Sequence, residues 1–550
     1  MADAAGATQR RILDTSFGAG LGFLTAWRDW KNDPRQPRLL HCVALSEQPP
    51  TAAGMLLAAQ ASPELRPLAQ ALAGQWYGLL PGVHRLVLEN ARVLLTLCVG
   101  EAEKMLRQLD FHADAVLLHG SAAIHLKALA RCCRRGTSIE ASDPAGALRP
   151  ALERHGFVLR QTDGGWLLGE FAPAWEPRGP RPRQALVPGN CIVIGAGLAG
   201  AAAAASLARR GWTVRVLDAA SAPAGGASGL PAGVLVPHAS PDDNLLSRLS
   251  RDGVRATLQQ AQALLAPGTD FDAGGVLEHH VDGQARCDPA PPEAAAVWSR
   301  PASTEQKILA GLDAAAVASW HEKAAWIRPQ RLVQAWLDQP GVQLLRDTRV
   351  DSLSRAGGKW QALDGAGRLL AEGELVVIAA AMDSGKLVEG LELQPVRGQV
   401  TWAVHDGAGK LAPFAVNGDG SFIPSVPTAQ GPAWICGASF DRGDTDLEPR
   451  EADQQANLER LRRLLPRLSA QLEPSRHDLQ AWTGIRCASR DRRPLVGEMA
   501  PGLWLSTAMG SRGLTFAALA AELIAARIHG EPLPLARKLA VALDPRRQRD

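Results

Sequence analysis

The chain has 550 residues, a formal net charge of +3 and a hydrophobic content of 46%. This length exceeds what one hydrophobic core supports, so we expect two or three domains. The small net charge leaves a nucleic-acid partner open, because a local basic face suffices for binding. The eight cysteines form no C-x-x-C pattern, so neither a metal site nor a disulfide framework is expected. Without a signal-like segment or an apolar run of about 20 residues, we expect a cytoplasmic protein with no membrane partner.

The N-terminal region begins with a predicted strand, a glycine-rich turn that contains Gly18 and Gly20, and a predicted helix. The next predicted strand, residues 40–45, is soon followed by Glu47, at the position where a nucleotide-binding fold holds a ribose. The pattern predicts a Rossmann-like domain over residues 1–172 that is shaped for S-adenosylmethionine. A glycine turn that binds nothing is the alternative.

His119 follows a further predicted strand, residues 115–118, at the edge where open α/β sheets bind ligands. It is either a structural or a catalytic residue. Close by, Arg131, Arg134 and Arg135 form a basic run near a predicted helix end. They either satisfy the last carbonyls of that helix or contact RNA phosphates.

Residues 171–183 contain repeated prolines and arginines. Proline excludes a helix interior and a central strand, and it favours an extended and fairly stiff chain. We therefore predict a linker over residues 173–189 that separates the N-terminal domain from the rest of the chain.

The strongest motif is the G-x-G-x-x-G sequence of Gly195, Gly197 and Gly200. It follows an apolar predicted strand, begins an alanine-rich predicted helix, and precedes a second strand that ends at Asp218. The first glycine allows the tight turn, the second lets the backbone approach a pyrophosphate, and the third lets helix and strand pack closely. The helix N-terminus favours phosphate groups, and Asp218 is placed to accept hydrogen bonds from a ribose. The context predicts a dinucleotide-binding βαβ unit.

Further stretches fit the same domain. A second glycine cluster contains Gly226, Ala227 and Ser228 and is predicted to be a loop against the cofactor, with a free surface loop as the alternative. A predicted strand over residues 346–350 belongs to the same domain. Ala380 lies near the end of a strongly apolar predicted strand, where small side chains let a flat cofactor lie close to the backbone.

The second half also contains a β-rich region, with strands predicted over residues 396–402 and 434–440. We predict that it forms a mixed β domain inserted into the dinucleotide-binding domain. After it comes a stretch with four arginines and one acid, and then a strand, a glycine turn over residues 510–514 and an apolar helix. The N-terminus of that helix is suited to stabilise negative charge on a flavin pyrimidine ring.

These stretches together resemble FAD enzymes of the glycine-oxidase and D-amino-acid-oxidase type. More closely, nearly the whole chain resembles the MnmC family, in which an N-terminal methyltransferase is joined to a C-terminal FAD oxidoreductase that modifies the tRNA wobble uridine. The most specific motifs are Phe17-Gly18-Ala19-Gly20-Leu21-Gly22-Phe23-Leu24-Thr25-Ala26-Trp27, Gly226-Ala227-Ser228-Gly229, Gly484-Ile485-Arg486-Cys487-Ala488-Ser489-Arg490-Asp491, Pro494-Leu495-Val496-Gly497 and Gly510-Ser511-Arg512-Gly513-Leu514.

The resemblance implies an α/β fold: a Rossmann-like methyltransferase-type domain, followed by a FAD-binding Rossmann domain with an inserted mixed β-sheet substrate domain. We expect the FAD-dependent oxidoreductase to occupy residues 190–550. Within it, the expected FAD-binding parts are residues 190–250, 325–390 and 480–535, and the expected substrate-binding parts are residues 251–324 and 391–479.

The resemblance also implies FAD as cofactor, S-adenosylmethionine as a ligand of the N-terminal domain, tRNA as substrate and O₂ as electron acceptor. The family oxidises 5-carboxymethylaminomethyl-(2-thio)uridine at the wobble position to an imine. Hydrolysis of the imine then gives 5-aminomethyl-(2-thio)uridine and glyoxylate. We expect a monomer that acts on the anticodon stem-loop.

Arg486 stands where glycine-oxidase-like enzymes carry the arginine that binds the substrate carboxylate. A guanidinium holds a carboxylate through two parallel, charge-assisted hydrogen bonds. A structural salt bridge from Arg486 to Asp491 is the alternative, and Arg397 is expected to be structural or to lie near the flavin. The predicted cofactor-binding residues are Gly195, Gly197, Gly200, Asp218, Gly226, Ala227, Ser228, Val350, Ala380, Gly510, Arg512, Gly513 and Leu514, and the predicted S-adenosylmethionine site comprises Gly18, Gly20 and Glu47.

The N-terminal part departs from the family pattern. The family's Asp-Gly-Phe-Ala-Pro loop carries an acid beside the acceptor amine, and this chain has His119-Gly120-Ser121-Ala122 there instead. The family's methyltransferase normally has a segment before its glycine motif, and this chain starts nearly at that motif. Without that acid, no residue is evident that deprotonates the acceptor amine. We therefore predict a shortened, degenerate methyltransferase domain that docks tRNA or stabilises the protein.

Two other functions stay open at the level of the sequence. The first is an FAD oxidase of a small free amino acid such as glycine or sarcosine, against which the fused N-terminal domain argues. The second is a non-catalytic tRNA-binding flavoprotein, which the intact cofactor motifs disfavour.

Overall fold

The computed structural model describes residues 8–119, 125–142, 148–162, 165–176, 186–405, 411–472 and 478–548. Their contacts divide the chain into two units. Unit 1 contains residues 1–187 and 525–541, and unit 2 contains residues 188–524 and 542–550. Residues 177–185, which belong to the predicted linker, lie outside the described part of the chain.

Unit 1 is built around a mixed β-sheet. Its strands are β1 (Gln9–Asp14), β2 (Leu39–Ser46), β3 (Gly82–Leu88), β4 (Val93–Val99), β5 (Ala113–Leu118), β6 (Cys133–Ser142), β7 (Phe157–Gln161) and β8 (Trp166–Phe171). Its helices before the linker are α1 (Leu21–Asn32), α2 (Ala52–Ala59), α3 (Arg66–Ala73), α4 (Ala102–Gln108), α5 (Leu126–Ala130) and α6 (Arg149–Arg154). Within the described residues, the strand order is β3-β4-β2-β1-β5-β6-β8-β7. The central run from β4 to β6 is parallel, as the predicted Rossmann-like domain requires.

Helix α1 shows why the first βα unit forms. Gly20 precedes the helix with a φ of 84°, and a Cβ atom there would lie 2.9 Å from the ring of Phe17, so the turn requires glycine. Leu24 and Trp27 are buried on one side of the helix at helical spacing. They share a hydrophobic core with Leu40 of β2, a strand that is buried along almost its whole length.

Residues 525–541 return to unit 1 from the far end of the chain. The side chains of Gln9 and Arg11, on β1, donate hydrogen bonds to the carbonyl oxygens of His529 and Gly530 at 2.8 and 3.0 Å. These bonds satisfy carbonyls that a helix end leaves unpaired. The segment falls within residues 190–550, the range expected for the oxidoreductase, whereas its contacts lie within unit 1.

Unit 2 contains the remaining elements. Its strands are β9 (Asn190–Ile194), β10 (Thr213–Leu217), β11 (Gly233–Leu235), β12 (Phe271–Asp272), β13 (Val276–His279), β14 (Arg300–Pro301), β15 (Ala318–His321), β16 (Ala325–Ile327), β17 (Val342–Leu345), β18 (Ser352–Ala356), β19 (Lys359–Leu363), β20 (Leu369–Gly373), β21 (Leu375–Ile378), β22 (Leu393–Val404), β23 (Ala415–Gly418), β24 (Gly420–Thr428), β25 (Gly431–Gly437), β26 (Asp441–Arg442), β27 (Gln480–Ser489), β28 (Leu495–Ala500) and β29 (Leu503–Thr507). Its helices are α7 (Leu198–Arg209), α8 (Leu245–Leu264), α9 (Glu293–Ala296), α10 (Thr304–Leu309), α11 (Pro329–Leu337), α12 (Ser384–Leu387), α13 (Glu451–Leu464), α14 (Pro466–Gln471) and α15 (Gly513–His529), whose last residues belong to unit 1 together with α16 (Arg537–Val541).

The first sheet of unit 2 has the order β17-β10-β9-β21-β29-β28 in the described residues. All its pairs are parallel except the pair of β28 and β29. Strands β21 and β29 are buried throughout, as expected for a parallel sheet that is covered on both faces. Helix α7 and the small antiparallel sheet β18-β19-β20 both pack against it.

The second large sheet of unit 2 has the order β14-β15-β13-β23-β24-β25-β22-β26 in the described part of the chain, and β27 pairs with β22. Strands β22 and β27 pair in antiparallel orientation along ten residues each, from Leu393 opposite Ser489 to Trp402 opposite Gln480. Residues 480–535 are expected from the sequence to be a FAD-binding part. This assignment is wrong for β27, because a long antiparallel ladder joins it to the β-rich region.

The predicted strand over residues 346–350 is also wrong. The strand ends at Leu345, and Asp347 turns the chain with a φ of 52°. The amide of Thr348 then donates a hydrogen bond to the carbonyl of Asp218 at 2.8 Å. The backbone therefore follows the end of β10 as a loop, which brings this segment to the edge of the sheet.

Two observations bear on cysteine chemistry and membrane crossing. All eight cysteines are free thiols, and seven of them are buried. Burial raises the pKa of Cys98 to about 12, so this thiol stays protonated near neutral pH. Among the helices that the structure describes, none combines the length and the apolar character needed to span a bilayer.

A buried cluster of charges joins α15 to α7. The carboxylate of Glu522 accepts hydrogen bonds from Ser206, Arg209 and Arg210 at 2.7, 2.8 and 3.0 Å. Burial alone raises the pKa of Glu522, but the two guanidiniums and the hydroxyl outweigh it and hold this pKa well below its usual value of 4.5. Glu522 therefore stabilises the fold as a carboxylate.

We predict that Glu522→Gln lowers the free energy of unfolding by about 3 kcal/mol at pH 7, because it removes the buried negative charge that both guanidiniums contact. The folded-state pKa is depressed, so the contribution of Glu522 is present above about pH 4.5 and declines as the pH falls below it. The difference between wild type and variant in urea denaturation should therefore shrink between pH 7 and pH 3. Glu389→Gln is the control, since Glu389 is exposed. Equal stability of wild type and Glu522→Gln at pH 7 would contradict the prediction.

Candidate active site

The loop after β9 has the backbone geometry that its glycines predict. Gly195 has a φ of 104°, and a Cβ atom there would lie 2.6 Å from the carbonyl oxygen of Ala379. A Cβ atom on Gly200 would lie 1.8 Å from the carbonyl oxygen of Gly195, so larger residues cannot occupy either position. The start of α7 therefore packs directly against the end of β9.

Ser228, from the second glycine cluster, closes over the N-terminus of α7. The amide of Leu198 donates a hydrogen bond to the Ser228 hydroxyl at 3.0 Å. A Cβ atom on Gly197 would lie 3.1 Å from the same hydroxyl, and one on Gly226 would have no atom within 4 Å. The helix N-terminus and this open backbone suit a phosphate group.

Asp218 lies at the end of β10, beside the same loop. Its carboxylate accepts hydrogen bonds from the amides of Ala196 and Ala220, which fix its position at the cavity edge. Val350 and Ala380 line the cavity close by. The binding of a ribose by Asp218 stays a prediction.

A cavity of about 930 Å³ brings together segments that are far apart in the sequence. The turn before α15 contributes Gly510 and Arg512 to its wall, and the first residues of the helix contribute Gly513 and Leu514. Burial, and then the nearby guanidinium of Arg492, lower the pKa of Arg512. Of the other predicted cofactor-binding residues, Gly200 lies behind the loop and does not line the cavity. The rest do line it: Gly195, Gly197, Asp218, Gly226, Ala227, Ser228, Val350 and Ala380.

These features fit a dinucleotide such as FAD. Two helix N-termini, those of α7 and α15, meet at the cavity, and each offers unpaired amides and a partial positive charge. Small residues let a flat ring system approach the backbone, and Gly226 leaves open space beside the loop.

Arg486, on β27, lines the same cavity. Its guanidinium donates hydrogen bonds to the carbonyl oxygens of Ser439 and Arg397 at 3.2 and 3.4 Å. Burial lowers its pKa, and in the described residues no carboxylate lies within ion-pair distance of it. The alternative salt bridge to Asp491 does not form, because Asp491 binds Arg493 and Arg547 instead.

Gly398 makes room for that guanidinium. On β22 it lies opposite Gly484 of β27, and a Cβ atom on it would lie 2.2 Å from a terminal nitrogen of Arg486. The absence of a side chain at this position therefore allows Arg486 to lie across the sheet.

Arg397 has a structural role. Its side chain is fully buried and donates hydrogen bonds to the carbonyls of Asp446 and Glu448 at 2.8 and 2.7 Å and to the carboxylate of Asp453. It therefore ties β22 to the segment before α13, and its charge is neutralised by Asp453.

The predicted S-adenosylmethionine residues lie around the end of β1. Gly18 and Gly20 have φ values of 52° and 84°, and Glu47 is exposed just after β2. Burial raises the pKa of Asp14, the last residue of β1, to about 6. Residues 120–124, which include most of the run that replaces the family's acid, lie outside the described residues.

Two residues of the cavity region were missed at the sequence level. Gly398 is recognisable only from its contact with Arg486. Phe440, which lines the cavity and is 46% exposed, was assigned to a strand that in fact ends at Gly437. The sequence signal available for Phe440 was a large apolar residue among the polar residues Ser439, Asp441 and Arg442.

Comparison with protein families gives two matches. Residues 190–527 match the family described as FAD dependent oxidoreductase. Residues 63–165 match the family described as S-adenosyl-L-methionine-dependent methyltransferase. The chain is thus an FAD-dependent oxidoreductase joined to a methyltransferase-type domain, which confirms the predicted fold class and FAD as cofactor.

Curated relatives extend the match to both parts of the chain. A protein from Polaromonas sp. is 51% identical over 98% of this chain and 91% of its own length. One from Delftia acidovorans is 50% identical over 98% and 91%, and one from Ralstonia nicotianae is 37% identical over 98% and 89%. All three are named tRNA 5-methylaminomethyl-2-thiouridine biosynthesis bifunctional protein MnmC. The chain belongs to the MnmC family, as the sequence motifs predicted.

Solved structures agree with the fold. Glycine oxidase from Bacillus cereus aligns with a TM-score of 0.50 at 20% identity and covers 62% of this chain and 95% of its own. L-proline dehydrogenase from P. horikoshii aligns with a TM-score of 0.53 at 18% identity, with coverages of 67% and 99%. Because both structures are at most 20% identical to this chain, their similarity supports the fold of the oxidoreductase part and nothing more.

We predict that Gly398→Ala displaces the Arg486 guanidinium while the protein still folds, because the clashing atoms are the end of a flexible side chain. The loss of one charge-assisted hydrogen bond is worth about 1.5–3 kcal/mol, so a small carboxylate should bind about tenfold to hundredfold more weakly. Titration with glycolate, followed by the visible absorption of bound FAD, measures this. Gly385→Ala is the control, since its Cβ meets only an ordinary contact at 3.8 Å. Unchanged glycolate affinity in Gly398→Ala would contradict the prediction.

Proposed function

We propose that this chain removes the carboxymethyl group from 5-carboxymethylaminomethyl-(2-thio)uridine at the wobble position of tRNA. The products are 5-aminomethyl-(2-thio)uridine and glyoxylate. Support comes from membership in a family of tRNA 5-methylaminomethyl-2-thiouridine biosynthesis proteins and from the FAD-dependent oxidoreductase family match. Because the substrate is tRNA, we expect the protein to act in the cytoplasm.

The observation that carries this proposal is the Arg486 guanidinium, which lines the cavity without a carboxylate partner among the described residues. A desolvated positive charge favours an anionic ligand. The substrate side chain ends in an N-substituted glycine, whose carboxylate matches the two-pronged geometry of a guanidinium. We assign Arg486 to hold that carboxylate, and the CH₂ group beside it is thereby held next to the cofactor-binding part of the cavity.

The other residues bind and orient the cofactor. We assign the amides at the start of α7, with Ser228, to the pyrophosphate, and Asp218 to the ribose. The N-terminus of α15, from Gly510 to Leu514, is assigned to the flavin pyrimidine edge, where its partial positive charge stabilises an anion. When bound, FAD supplies a two-electron oxidation of the CH₂ group.

The overall reaction balances with one O₂ and one water. Two electrons and two protons leave the CH₂–NH unit of the substrate, and O₂ takes them up as hydrogen peroxide. Water then adds to the resulting C=N carbon, and the C–N bond breaks. The amine stays on the tRNA base, and the former CH₂ carbon leaves as the aldehyde of glyoxylate. We propose O₂ as the acceptor and a monomer as the working form.

We predict that Arg486→Ala retains FAD but lowers kcat/KM for glyoxylate release from tRNA by about 10²–10⁴-fold, since two charge-assisted hydrogen bonds are lost. Arg486→Lys keeps the charge but not the paired geometry, so its kcat/KM should lie between those of Arg486→Ala and the wild type. The assay uses tRNA from cells that lack this protein and measures glyoxylate, with glycine and sarcosine as alternative substrates.

Glyoxylate release from tRNA but not from glycine or sarcosine supports the proposal. Oxidation of the free amino acids alone would instead indicate a small-molecule oxidase. Bound FAD that modified tRNA never reduces anaerobically would indicate a non-catalytic flavoprotein. Loss of FAD from Arg486→Ala would show that the arginine is structural.

For the N-terminal domain we propose a tRNA-docking or stabilising role without methylation. His119 stands where the family's acid occurs, so the acceptor amine lacks its expected base. We predict that labelled S-adenosylmethionine transfers no label to aminomethyl-tRNA above the level seen without protein. Scintillation counting of the recovered tRNA measures this, and efficient transfer would contradict the prediction.

A further inference from the structure

Phe440 is a large apolar side chain that the fold leaves exposed inside a functional cavity. Its exposed fraction is 46%, and it lies in the cavity wall near Arg486. An aromatic ring gains free energy when its faces are covered. The roles assigned above to the carboxylate and to the cofactor do not require this ring, so another part of the ligand is available to cover its exposed area.

The backbone before Phe440 is held in place by hydrogen bonds. The amide of Ser439 donates to the carbonyl of Gln399, and the amide of Gln399 donates to the hydroxyl of Ser439, both at 3.0 Å. Arg460 donates to the carbonyl of Ala438 at 2.8 Å. The ring is therefore presented from a fixed segment, which lowers the entropy cost of using it for binding.

Two guanidiniums lie near this ring. The central carbon of Arg486 is 5.8 Å from the ring centroid, and that of Arg442 is 5.9 Å away, within the range of cation–π attraction. Arg442 is exposed, and the described residues contain no ion pair to it. Because no carboxylate among the described residues holds the Arg442 guanidinium, this side chain can move away from the ring when a base binds there.

We propose that Phe440 is a stacking platform for the uracil ring of the tRNA wobble base. This inference rests on the proposed function and adds a base subsite to it. Single-stranded RNA bases are commonly bound by stacking on aromatic side chains and arginine planes. Four bonds separate the uracil ring from the carboxylate, and they span roughly 5 Å when extended, by analogy with backbone bond lengths. The distance from the centroid of the Phe440 ring to the central guanidinium carbon of Arg486 is similar, 5.8 Å. One ligand can therefore place its base over the ring and its carboxylate at Arg486.

The platform explains how the cavity distinguishes its substrate from a free amino acid. Glycine and sarcosine carry the carboxylate that Arg486 binds, but they have no ring to cover Phe440. Stacking on an aromatic side chain is worth about 1–3 kcal/mol per base. The exposed ring therefore favours a glycine unit that is attached to a nucleobase.

The test compares Phe440→Ala, Phe440→Leu and Phe440→Trp in glyoxylate release from tRNA that carries the carboxymethylaminomethyl group. We expect Phe440→Ala and Phe440→Leu to raise KM by about tenfold to hundredfold, with kcat changed by less than about threefold. Phe440→Trp should restore KM to near the wild-type value, because it restores an aromatic face. Glycolate affinity, which reports on Arg486, should stay unchanged in all three variants. Leu447→Ala is the control, since Leu447 is 59% exposed and does not line the cavity.

Three results would overturn the platform while leaving the proposed function intact. The first is an unchanged KM in Phe440→Ala. The second is a wild-type KM in Phe440→Leu, which would mean that any apolar side chain suffices. The third is an equal loss of glycolate and tRNA affinity, which would mean that Phe440 supports Arg486 instead. Wild-type protein that releases no glyoxylate from the tRNA would remove the proposed function and the platform together.

Discussion

A buried positive charge to which the described residues offer no carboxylate within ion-pair distance is the constraint on which this site depends. Moving a guanidinium out of water is costly unless hydrogen bonds and an opposite charge replace the solvent. Arg486 donates to two carbonyl oxygens, those of Ser439 and Arg397. Among the described residues no carboxylate lies within ion-pair distance of it, and Asp441 acts on its charge only from further away. Arg397, the neighbouring buried arginine, is neutralised by Asp453. The contrast between the two arginines identifies the one that is available to an anionic ligand.

The two large sheets of unit 2 contribute different parts of the cavity. In the parallel sheet, Gly195, Asp218, Ala380 and Gly510 all follow the carboxyl ends of strands, which is the edge where open α/β sheets bind ligands. The second sheet, which is mixed because β13 and β23 pair in parallel, contributes Arg486 on its β27 strand and Phe440 after β25. Cofactor binding and substrate recognition are thus assigned to separate sheets that meet at one cavity.

The glycine motifs were predictable because each responds to a local requirement. A positive φ at Gly195 and the close approach of Gly200 involve atoms within a few residues, and such requirements leave a short sequence pattern. The strand over residues 346–350 was predicted wrongly because these residues do not reveal the turn at Asp347, where the chain leaves β17 and passes the end of β10. Gly398 could not be recognised at all, since its role depends on a guanidinium from another strand.

The sequence by itself determined the fold class, the family and the position of the dinucleotide-binding loop, because these depend on hydrophobic periodicity and on contacts close along the chain. Only the tertiary structure decided that Arg397 pairs with Asp453 while Arg486 lines the cavity, that Asp491 binds Arg493 and Arg547, and that Phe440 lies in the cavity wall near Arg486. The physical reason is distance along the chain. The bonds that hold Arg486 join residues 47 and 89 positions apart, and only the pairing of strands brings them together.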